Sequence, residues 1–240
     1  MASKVDGEAV DNVLEVSDLG VRFGRSQIFK DLSFSVRRGT SLAIVGPNGS
    51  GKTMLFRALL GAVPVGGTFR WAPGVRIGYV PQKLDIARDV PITGFDFLRA
   101  RASLARASQD LIAQSLASVG LSPEIAAEAI GKLSGGQFQR LLVAFALICA
   151  PNVLLMDEPT AGVDEPGRRY LTELVHRLQH EKGLTVLQIS HDLAEVCRCA
   201  TTVLCLGREH IRIGPPREVL TPDLLQKIYG APVAFQVSEI

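Results

Sequence analysis

The chain has 240 residues and a formal net charge of +2 at pH 7, with 47% hydrophobic and 21% charged residues. This length and composition suit one large globular domain with a substantial core. The near-balanced charge gives no signal for nucleic acid, so no nucleic-acid partner is expected. The longest apolar run, residues 141–150, is shorter than the roughly 18 residues of a membrane span and predicts a buried helix.

The first part of the chain favours β-strands. Apolar and β-branched residues are concentrated at 13–16, 21–23 and 28–36, with a turn at 24–26. Within 28–36 they alternate with polar residues, as in an antiparallel sheet with one buried face. A short, almost wholly apolar strand is predicted at 41–45. The sequence therefore predicts an N-terminal antiparallel β-subdomain in front of an α/β core.

A glycine-rich loop connects the strand at 41–45 to a predicted helix at 54–60. The loop matches G-x-x-x-x-G-K-[ST] in the strand–loop–helix context of a P-loop, whose backbone N–H groups and positive helix end hold a polyphosphate. Its residues are Gly46, Pro47, Asn48, Gly49, Ser50, Gly51, Lys52 and Thr53. Lys52 is predicted to reach the β- and γ-phosphates of a nucleoside triphosphate, and Thr53 to ligate Mg²⁺. The alternative is a glycine-rich turn that contains a lysine by chance.

The pattern then changes to helices. Residues 61–74 are rich in glycine and proline and predict turns, and residues 75–80 predict a strand that leads to Gln82. Helices are predicted at 94–107, 109–119, 123–130 and from the loop at 133–137 to residue 150. This stretch is interpreted as a helical insert in an α/β core.

After residue 150 strands and helices alternate, which predicts right-handed βαβ units and a parallel sheet. The predicted elements are a strand at 153–157, a helix at 165–182, a strand at 184–190, a helix at 193–199, a strand at 202–206 and two short helical pieces within 215–240.

Two acidic residues, Asp157 and Glu158, lie at the carboxyl end of the strand at 153–157. Because ligands of open α/β sheets bind at the carboxyl ends of strands, Asp157 suits a Mg²⁺ ligand and Glu158 suits the general base. The alternative is an acidic pair that caps the next helix.

A second glycine loop, made of Leu133, Ser134, Gly135, Gly136 and Gln137, opens a helix. It offers backbone N–H groups, a hydroxyl and a helix dipole to an anion. Since it has neither a lysine nor a metal ligand, it cannot hold a Mg-triphosphate alone.

These motifs together resemble those of the ATP-binding cassette (ABC) ATPases. The resemblance rests on five motifs in the family order: the P-loop, Gln82 after a strand, the LSGGQ pentapeptide at 133–137, Asp157 with Glu158, and His191 after a strand. They extend over most of the chain.

The resemblance implies a role for each matching residue. Phe23 would stack on adenine, with simple core packing as the alternative. Gln82 would sense Mg²⁺ and the attacking water, and His191 would contact the γ-phosphate. Asp164 matches the family's D-loop aspartate. Ser134 to Gln137 would complete the nucleotide site of a second copy, so that two chains face head to tail around two ATP molecules.

The resemblance also implies a fold and its division. The expected fold is an α/β P-loop NTPase with a RecA-like core, an N-terminal antiparallel β-subdomain and an inserted α-helical subdomain. Residues 1–240 would form one domain. Residues 1–81 and 150–240 would form the β-subdomain and core with a C-terminal extension, and 82–149 the helical signature subdomain.

The implied partners lie at a membrane. Such chains act with permease subunits at the cytoplasmic face of the inner membrane and are served indirectly by an extracytoplasmic metal-binding protein. Residues 90–98 are the candidate docking surface, with Ile92, Phe95, Phe97 and Leu98 as contacts. The alternative is that these side chains pack the insert's own core.

The substrate is indicated only by subfamily detail. Residues 76–83, 162–164 and 203–206 resemble the ATPase subunits of zinc and manganese importers. A siderophore or cobalamin importer, or the ATPase of iron–sulfur cluster assembly, would share the catalytic residues and remains an alternative.

The other metal-binding residue types give no prediction of a site. Cys149, Cys197, Cys199 and Cys205 lack C-x-x-C spacing and are expected to be reduced thiols. His176 and His180 have zinc-compatible spacing on a predicted helix, but without a third ligand they are interpreted as an exposed helix face.

Overall fold

A computed structural model of the chain describes residues 11–24, 26–82, 84, 90–207 and 210–230. Its strands are β1 (Asn12–Phe23), β2 (Ser26–Arg37), β3 (Ser41–Val45), β4 (Gly66–Trp71), β5 (Ile77–Val80), β6 (Val153–Asp157), β7 (Thr185–Ile189), β8 (Thr202–Leu206) and β9 (Ile211–Gly214). Its α-helices are α1 (Lys52–Leu59), α2 (Gly94–Ala105), α3 (Asp110–Ser118), α4 (Pro123–Ala127), α5 (Gly135–Leu147), α6 (Glu165–Lys182), α7 (Leu193–Cys199), α8 (Pro216–Val219) and α9 (Pro222–Tyr229).

The antiparallel subdomain is a sheet with the strand order β2-β1-β4. The alternation predicted for 28–36 is confirmed, because Phe29, Leu32, Phe34 and Val36 are buried. The two short strands predicted at 13–16 and 21–23 are one bulged strand, β1. Strand β4 lies where turns were predicted. Its Gly67 has φ 72°, and a Cβ there would lie 2.2 Å from the Asp18 carbonyl oxygen, so this glycine serves close strand packing.

The core sheet has the strand order β5-β6-β7-β3-β8-β9. The first five strands are parallel, as predicted, and β9 pairs antiparallel with β8 at the edge. The prediction missed β9, which is short and lacks a buried residue. All five residues of β6 are buried, which fits a central parallel strand covered on both faces. The α/β fold is confirmed.

Helices α2 to α5 all lie within residues 82–149. Their shared core includes Leu98, Leu116 and Leu141, each no more than 3% exposed. The predicted helix at 123–130 is shorter, since α4 ends at Ala127 and a 3₁₀ turn follows at Ile130–Lys132. Helix α1 starts two residues earlier than predicted, at the P-loop lysine. Within the described residues, no helix is long and apolar enough to cross a membrane.

Strand β6 is part of the core and carries the acidic pair at its carboxyl end, so we expect it to be sensitive to side-chain truncation. Leu155 is 0% exposed, whereas Leu104 on α2 is 82% exposed. Leu155→Ala should lower the free energy of unfolding by about 2–5 kcal/mol, because it leaves a cavity in a close-packed core. Urea denaturation measures this. The same change at Leu104 is the control and should cost less than about 0.5 kcal/mol; equal losses would contradict the burial.

Candidate nucleotide-binding site

Four predicted motifs follow four consecutive strands of the core sheet. Strand β5 leads to Gln82, β6 to Glu158, β7 to His191 and β3 to the P-loop, and these strands are neighbours in that order. Because the strands are parallel, their carboxyl ends lie at one edge of the sheet. The sheet order therefore brings together residues that are far apart in sequence.

The path of the P-loop depends on glycine. Gly46 has φ 153°, and a Cβ there would lie 2.2 Å from the carbonyl oxygen of Leu206 on β8. Gly51 has φ 99°, and its Cβ would lie 2.5 Å from a methyl carbon of Ile28. Neither position accepts a side chain without displacement of its neighbours. The loop is thus held between β8 on one side and β2 on the other.

Lys52 begins α1 and is only 6% exposed. Its ammonium group donates hydrogen bonds to the carbonyl oxygens of Gly46, at 2.8 Å, and Pro47, at 3.1 Å. Burial lowers the pKa of Lys52, opposed by the negative charges of Glu158 and Asp157. An ammonium group has three N–H donors, and these two bonds leave one for a phosphate oxygen.

The loop also contains a polar atom that suits a phosphate ligand. The Ser50 hydroxyl is buried and has no hydrogen-bond partner among the described residues. An unpaired buried hydroxyl is costly, and a phosphate oxygen would satisfy it. The loop therefore fits a phosphate group, the anion that its sequence motif predicts.

Thr53 and Asp157 approach each other across the site. The Thr53 hydroxyl donates to Asp157 Oδ1 at 3.3 Å, and Asp157 is 1% exposed. Burial raises the pKa of Asp157, and burial together with the Asp157 charge raises the pKa of the Tyr79 phenol to about 12. A hydroxyl and a carboxylate are hard oxygen ligands, so this pair fits Mg²⁺ as predicted.

Glu158 connects the two remaining sequence-predicted residues. Its Oε2 accepts a hydrogen bond from Gln82 Nε2 at 2.5 Å, and its Oε1 lies 2.6 Å from His191 Nε2. The backbone of Glu158 is left-handed, with φ 49°, a strained conformation that clusters at functional sites. These contacts argue against the alternative in which the acidic pair caps a helix.

An open cavity of about 740 Å³ lies among these groups. It is lined by Ile28, Asn48, Gly49, Gly51, Lys52, Thr53, Met54, Arg57, Gln82, Glu158 and His191. The sequence interpretation missed Ile28, Met54 and Arg57. Arg57 lies one turn after Thr53 on α1, so helical spacing could have identified it.

Phe23 does not line this cavity in the part of the chain that the structure describes. It lies at the end of β1, opposite Ser26, and is 69% exposed. The core-packing alternative is therefore wrong, and stacking on adenine stays a prediction.

The second glycine loop forms the start of α5. The Ser134 hydroxyl accepts from the Gln137 N–H at 3.2 Å, and the Gln137 side chain accepts from the Ser134 N–H at 2.8 Å, a reciprocal capping box. A Cβ on Gly135 would lie 3.0 Å from the Gly162 carbonyl oxygen. Among the described residues that line the 740 Å³ cavity, none belongs to this loop.

Asp164 is also remote from the cavity lining. Its carboxylate caps α6 by accepting from the Gly167 N–H at 3.3 Å. The structure thus brings P-loop residues, Gln82, Glu158 and His191 around one cavity, and Asp157 joins them through Thr53. Neither Asp164 nor the loop at 133–137 is among the described residues that line it.

The candidate docking segment is only partly a surface. Leu98 is 0% exposed, so its prediction as a docking contact is wrong; its side chain packs in the core of α2–α5. Phe97 is half-buried and stacks on Phe145 with ring centroids 4.4 Å apart. Ile92 is 36% exposed, and Phe95 lies under the Arg99 guanidinium.

The helix after His191 is anchored by a buried carboxyl group. Glu195 on α7 is 6% exposed, and its Oε1 accepts from the Thr172 hydroxyl of α6 at 2.8 Å. Its other oxygen is buried and has no partner among the described residues. Burial raises the pKa of Glu195, to which the Asp192 charge adds, while Thr172, Gln188 and Arg198 oppose it.

Comparison with known proteins identifies the family. The sequence profile of the family described as ABC transporter matches residues 29–161. The zinc import ATP-binding protein ZnuC of Cereibacter sphaeroides is 42% identical over 213 residues, which are 88% of this chain and 86% of that protein. A probable metal transport system ATP-binding protein of Thermotoga maritima is 37% identical over 221 residues, 90% of each chain.

A comparison with a solved structure supports the same family. A metal-chelate type ABC transporter in an inward-facing conformation matches with a TM-score of 0.84 and 26% identity, over 95% of this chain and 94% of that one. The chain belongs to the ABC transporter family. It is an ATPase of that family.

The buried carboxyl of Glu195 gives a pH-dependent prediction. A raised pKa in the folded state means that the native state binds the proton more strongly than the unfolded state does. Ionisation of Glu195 therefore lowers the free energy of unfolding as pH rises from the unfolded-state pKa through the folded-state pKa. Glu195→Gln should therefore raise the free energy of unfolding at pH 7. The gain should exceed about 0.5 kcal/mol, the usual limit for a surface substitution. The gain should shrink as pH falls below the raised pKa of Glu195.

Thermal unfolding at several pH values tests this. Glu173→Gln on the exposed face of α6 is the matched control and should change little. A Glu195→Gln protein that is less stable than the parent at pH 7 would contradict a costly buried charge.

Proposed function

We propose that this chain is the ATP-hydrolysing subunit of an importer, in which ATP binding and hydrolysis drive a divalent metal ion, zinc, through a partner permease. The observation that carries the ATPase part is the convergence of Lys52, Thr53, Gln82, Glu158 and His191 on one cavity. The names of the relatives support the metal-import part.

Phosphate binding follows from the P-loop geometry. The backbone N–H groups of the loop and the start of α1 bind the phosphates. Lys52 donates its third N–H to a phosphate oxygen, since the other two are bonded to Gly46 and Pro47. Thr53, Asp157 and Gln82 would hold Mg²⁺, which when bound neutralises charge on the β- and γ-phosphates. The negative phosphates also compensate the buried charge of Lys52.

Hydrolysis is assigned to Glu158. Its carboxylate accepts a proton from the attacking water as the water oxygen bonds to the γ-phosphorus and the bond to the β,γ-bridging oxygen breaks. ADP and phosphate are the products. Gln82 and His191 each contact one of the two carboxylate oxygens, which places both beside the proposed position of the attacking water and the γ-phosphate.

The site requires a second copy. The loop at 133–137 presents the start of α5 to the exterior and lines no part of its own chain's described nucleotide cavity. In the proposed head-to-tail dimer, this loop and Asp164 of one protomer close the site of its partner. ATP favours the closed state because it contacts both protomers only there.

The proposed location is the cytoplasmic face of the inner membrane, where the chain is peripheral and bound to permease subunits. The match to the ABC transporter family supports a membrane partner for this ATPase. The exposed part of 90–98, which includes Ile92 but not Leu98, is the proposed permease contact. An extracytoplasmic metal-binding protein would deliver the ion. Residues 82–149 are the proposed helical subdomain of a single domain.

A metal chelate is the second candidate substrate. The matched metal-chelate type transporter covers 95% of this chain, and its ATPase would use the same catalytic residues. Zinc is preferred because the relative at 42% identity is a zinc import protein. Manganese is a further candidate for the transported ion within the same proposal.

Glu158→Gln tests the assignment of the base. The amide keeps the shape and can still pair with Gln82 and His191, but it cannot accept the proton, so turnover should fall about 100- to 10,000-fold. ATP binding should persist. Phosphate release and nucleotide binding measure the two effects, with Glu181→Gln on the exposed end of α6 as control. Unchanged turnover would refute the assignment.

Ser134→Arg tests the composite site. In the Glu158→Gln background, ATP should produce a dimer, and adding Ser134→Arg should prevent it, since the arginine occupies the space of the partner's phosphate. Binding of ATP by the monomer should be retained. Light scattering with Mg-ATP measures the mass. Ser103→Arg on the exposed face of α2 is the control. If the Ser134→Arg variant formed as much dimer as the Ser103→Arg control, the composite site would be contradicted.

Transport by the complex tests the substrate. The chain and its co-purified permease in vesicles should accumulate zinc when ATP is supplied, and Glu158→Gln should abolish this. Uptake of a metal chelate but not of free Zn²⁺ would favour the second candidate. Recovery of the chain only in soluble complexes, never in washed membranes with a permease, would contradict both.

A further inference from the structure

Two histidines on α6 converge at the protein surface. His176 and His180 lie one turn apart, and both are exposed. Their Nε2 atoms are 3.2 Å apart and their ring centroids 4.4 Å apart. The spacing alone predicts only that they share a face of the helix. The structure adds that the two ring nitrogens approach each other to 3.2 Å.

We propose that His176 and His180 form a binding site for one divalent transition-metal ion of the zinc class. Imidazole nitrogens bind Zn²⁺ at about 2.0–2.1 Å, so two of them at a tetrahedral angle lie roughly 3.3–3.4 Å apart. The observed separation of 3.2 Å is within about 0.2 Å of that ligand-to-ligand spacing. Histidines at i and i+4 on one helix face are an established zinc-binding arrangement.

The charges around the pair favour a cation. Two basic side chains of the same helix are engaged with α3, because Lys182 donates to the Ser118 hydroxyl at 3.1 Å and Arg177 to the Ser118 carbonyl oxygen at 3.4 Å. His180 lies in the last turn of α6, an 18-residue helix whose C-terminal end carries partial negative charge. A bound cation is therefore attracted by the helix end.

The rest of the coordination would come from water. Within the described residues, no cluster of three or more His, Cys, Asp and Glu side chains could hold a metal. A site with two protein ligands is open, so it exchanges its ion more readily than a closed structural zinc site. It is separate from the Mg²⁺ position at Thr53 and Asp157, whose ligands are hard oxygens, and it does not depend on which ion the importer carries.

Metal binding at this pair would act on the end of α6. The neighbouring residue Gln179 donates its side chain to the Gly39 carbonyl oxygen at 3.0 Å, and Gly39 precedes β3, the strand that leads to the P-loop. A metal that links His176 to His180 clamps the last turn, which holds this contact. Zn²⁺ should therefore raise the melting temperature of the nucleotide-free protein.

The test is titration of the full, nucleotide-free chain with Zn²⁺ against a chromophoric chelator. His176→Ala and His180→Ala should each weaken the affinity at this site by about tenfold or more and remove the thermal shift. Both positions are exposed, so neither change should prevent folding. His210→Ala, at a histidine outside α6, is the control and should retain the site.

Co²⁺ absorption distinguishes the ligands. Imidazole ligation gives no sulfur-to-metal charge-transfer band, whereas a site at the cysteines would give one. Zn²⁺ binding that is equal in the parent and the double histidine variant, or a sulfur band that survives in that variant, would overturn the proposal. So would the absence of any Zn²⁺ binding, which would leave the 3.2 Å contact as an N–H···N hydrogen bond.

Discussion

The buried ammonium group of Lys52 is the constraint on which the nucleotide site depends. A charge at 6% exposure needs acceptors, and the P-loop supplies them by turning two carbonyl groups inward. That turn is possible because Gly46 lies against the Leu206 carbonyl without a side chain between them. Burial still lowers the pKa of Lys52, so the charge remains costly. Bound phosphates compensate that cost, which couples nucleotide binding to the stability of the loop.

The order of the core strands brings that loop next to the other residues of the candidate site. Because β5, β6, β7 and β3 are consecutive neighbours, Gln82, Glu158, His191 and the P-loop form a row along one edge. Glu158 lies in the middle of the row and contacts both neighbours. The start of α5 lies outside this row. Its two glycines, Gly135 and Gly136, pack on residues 162–167 instead. In the proposed dimer, this row is one half of the enclosed site and the second glycine loop of the partner is the other.

The sequence predicted which residues form the candidate site better than it predicted the outlines of the fold. The P-loop, the acidic pair and His191 have local signatures that depend on backbone geometry, and the structure places them together. Strand β4 was missed because Gly66 and Gly67 predict a turn, whereas Gly67 in fact permits close approach to Asp18. Strand β9 was missed because a short exposed edge strand has no hydrophobic pattern.

Side-chain exposure was the less predictable property. Leu98 was expected at a docking surface, but helix packing in the insert buries it, and tertiary packing of that kind leaves no local signal. Phe23 shows the reverse, an aromatic residue in a strand that the fold leaves exposed. Convergence of His176 and His180 likewise depends on side-chain rotamers, which spacing does not determine.

The most direct test of the central claim is a crystal structure of the Glu158→Gln protein with ATP and Mg²⁺. The account predicts a γ-phosphate bound between Lys52 of one protomer and the loop that begins at Ser134 in its partner, with two such sites related by a two-fold axis. An ATP molecule enclosed by one chain alone, with the loop at 133–137 of every copy remote from any phosphate, would contradict it.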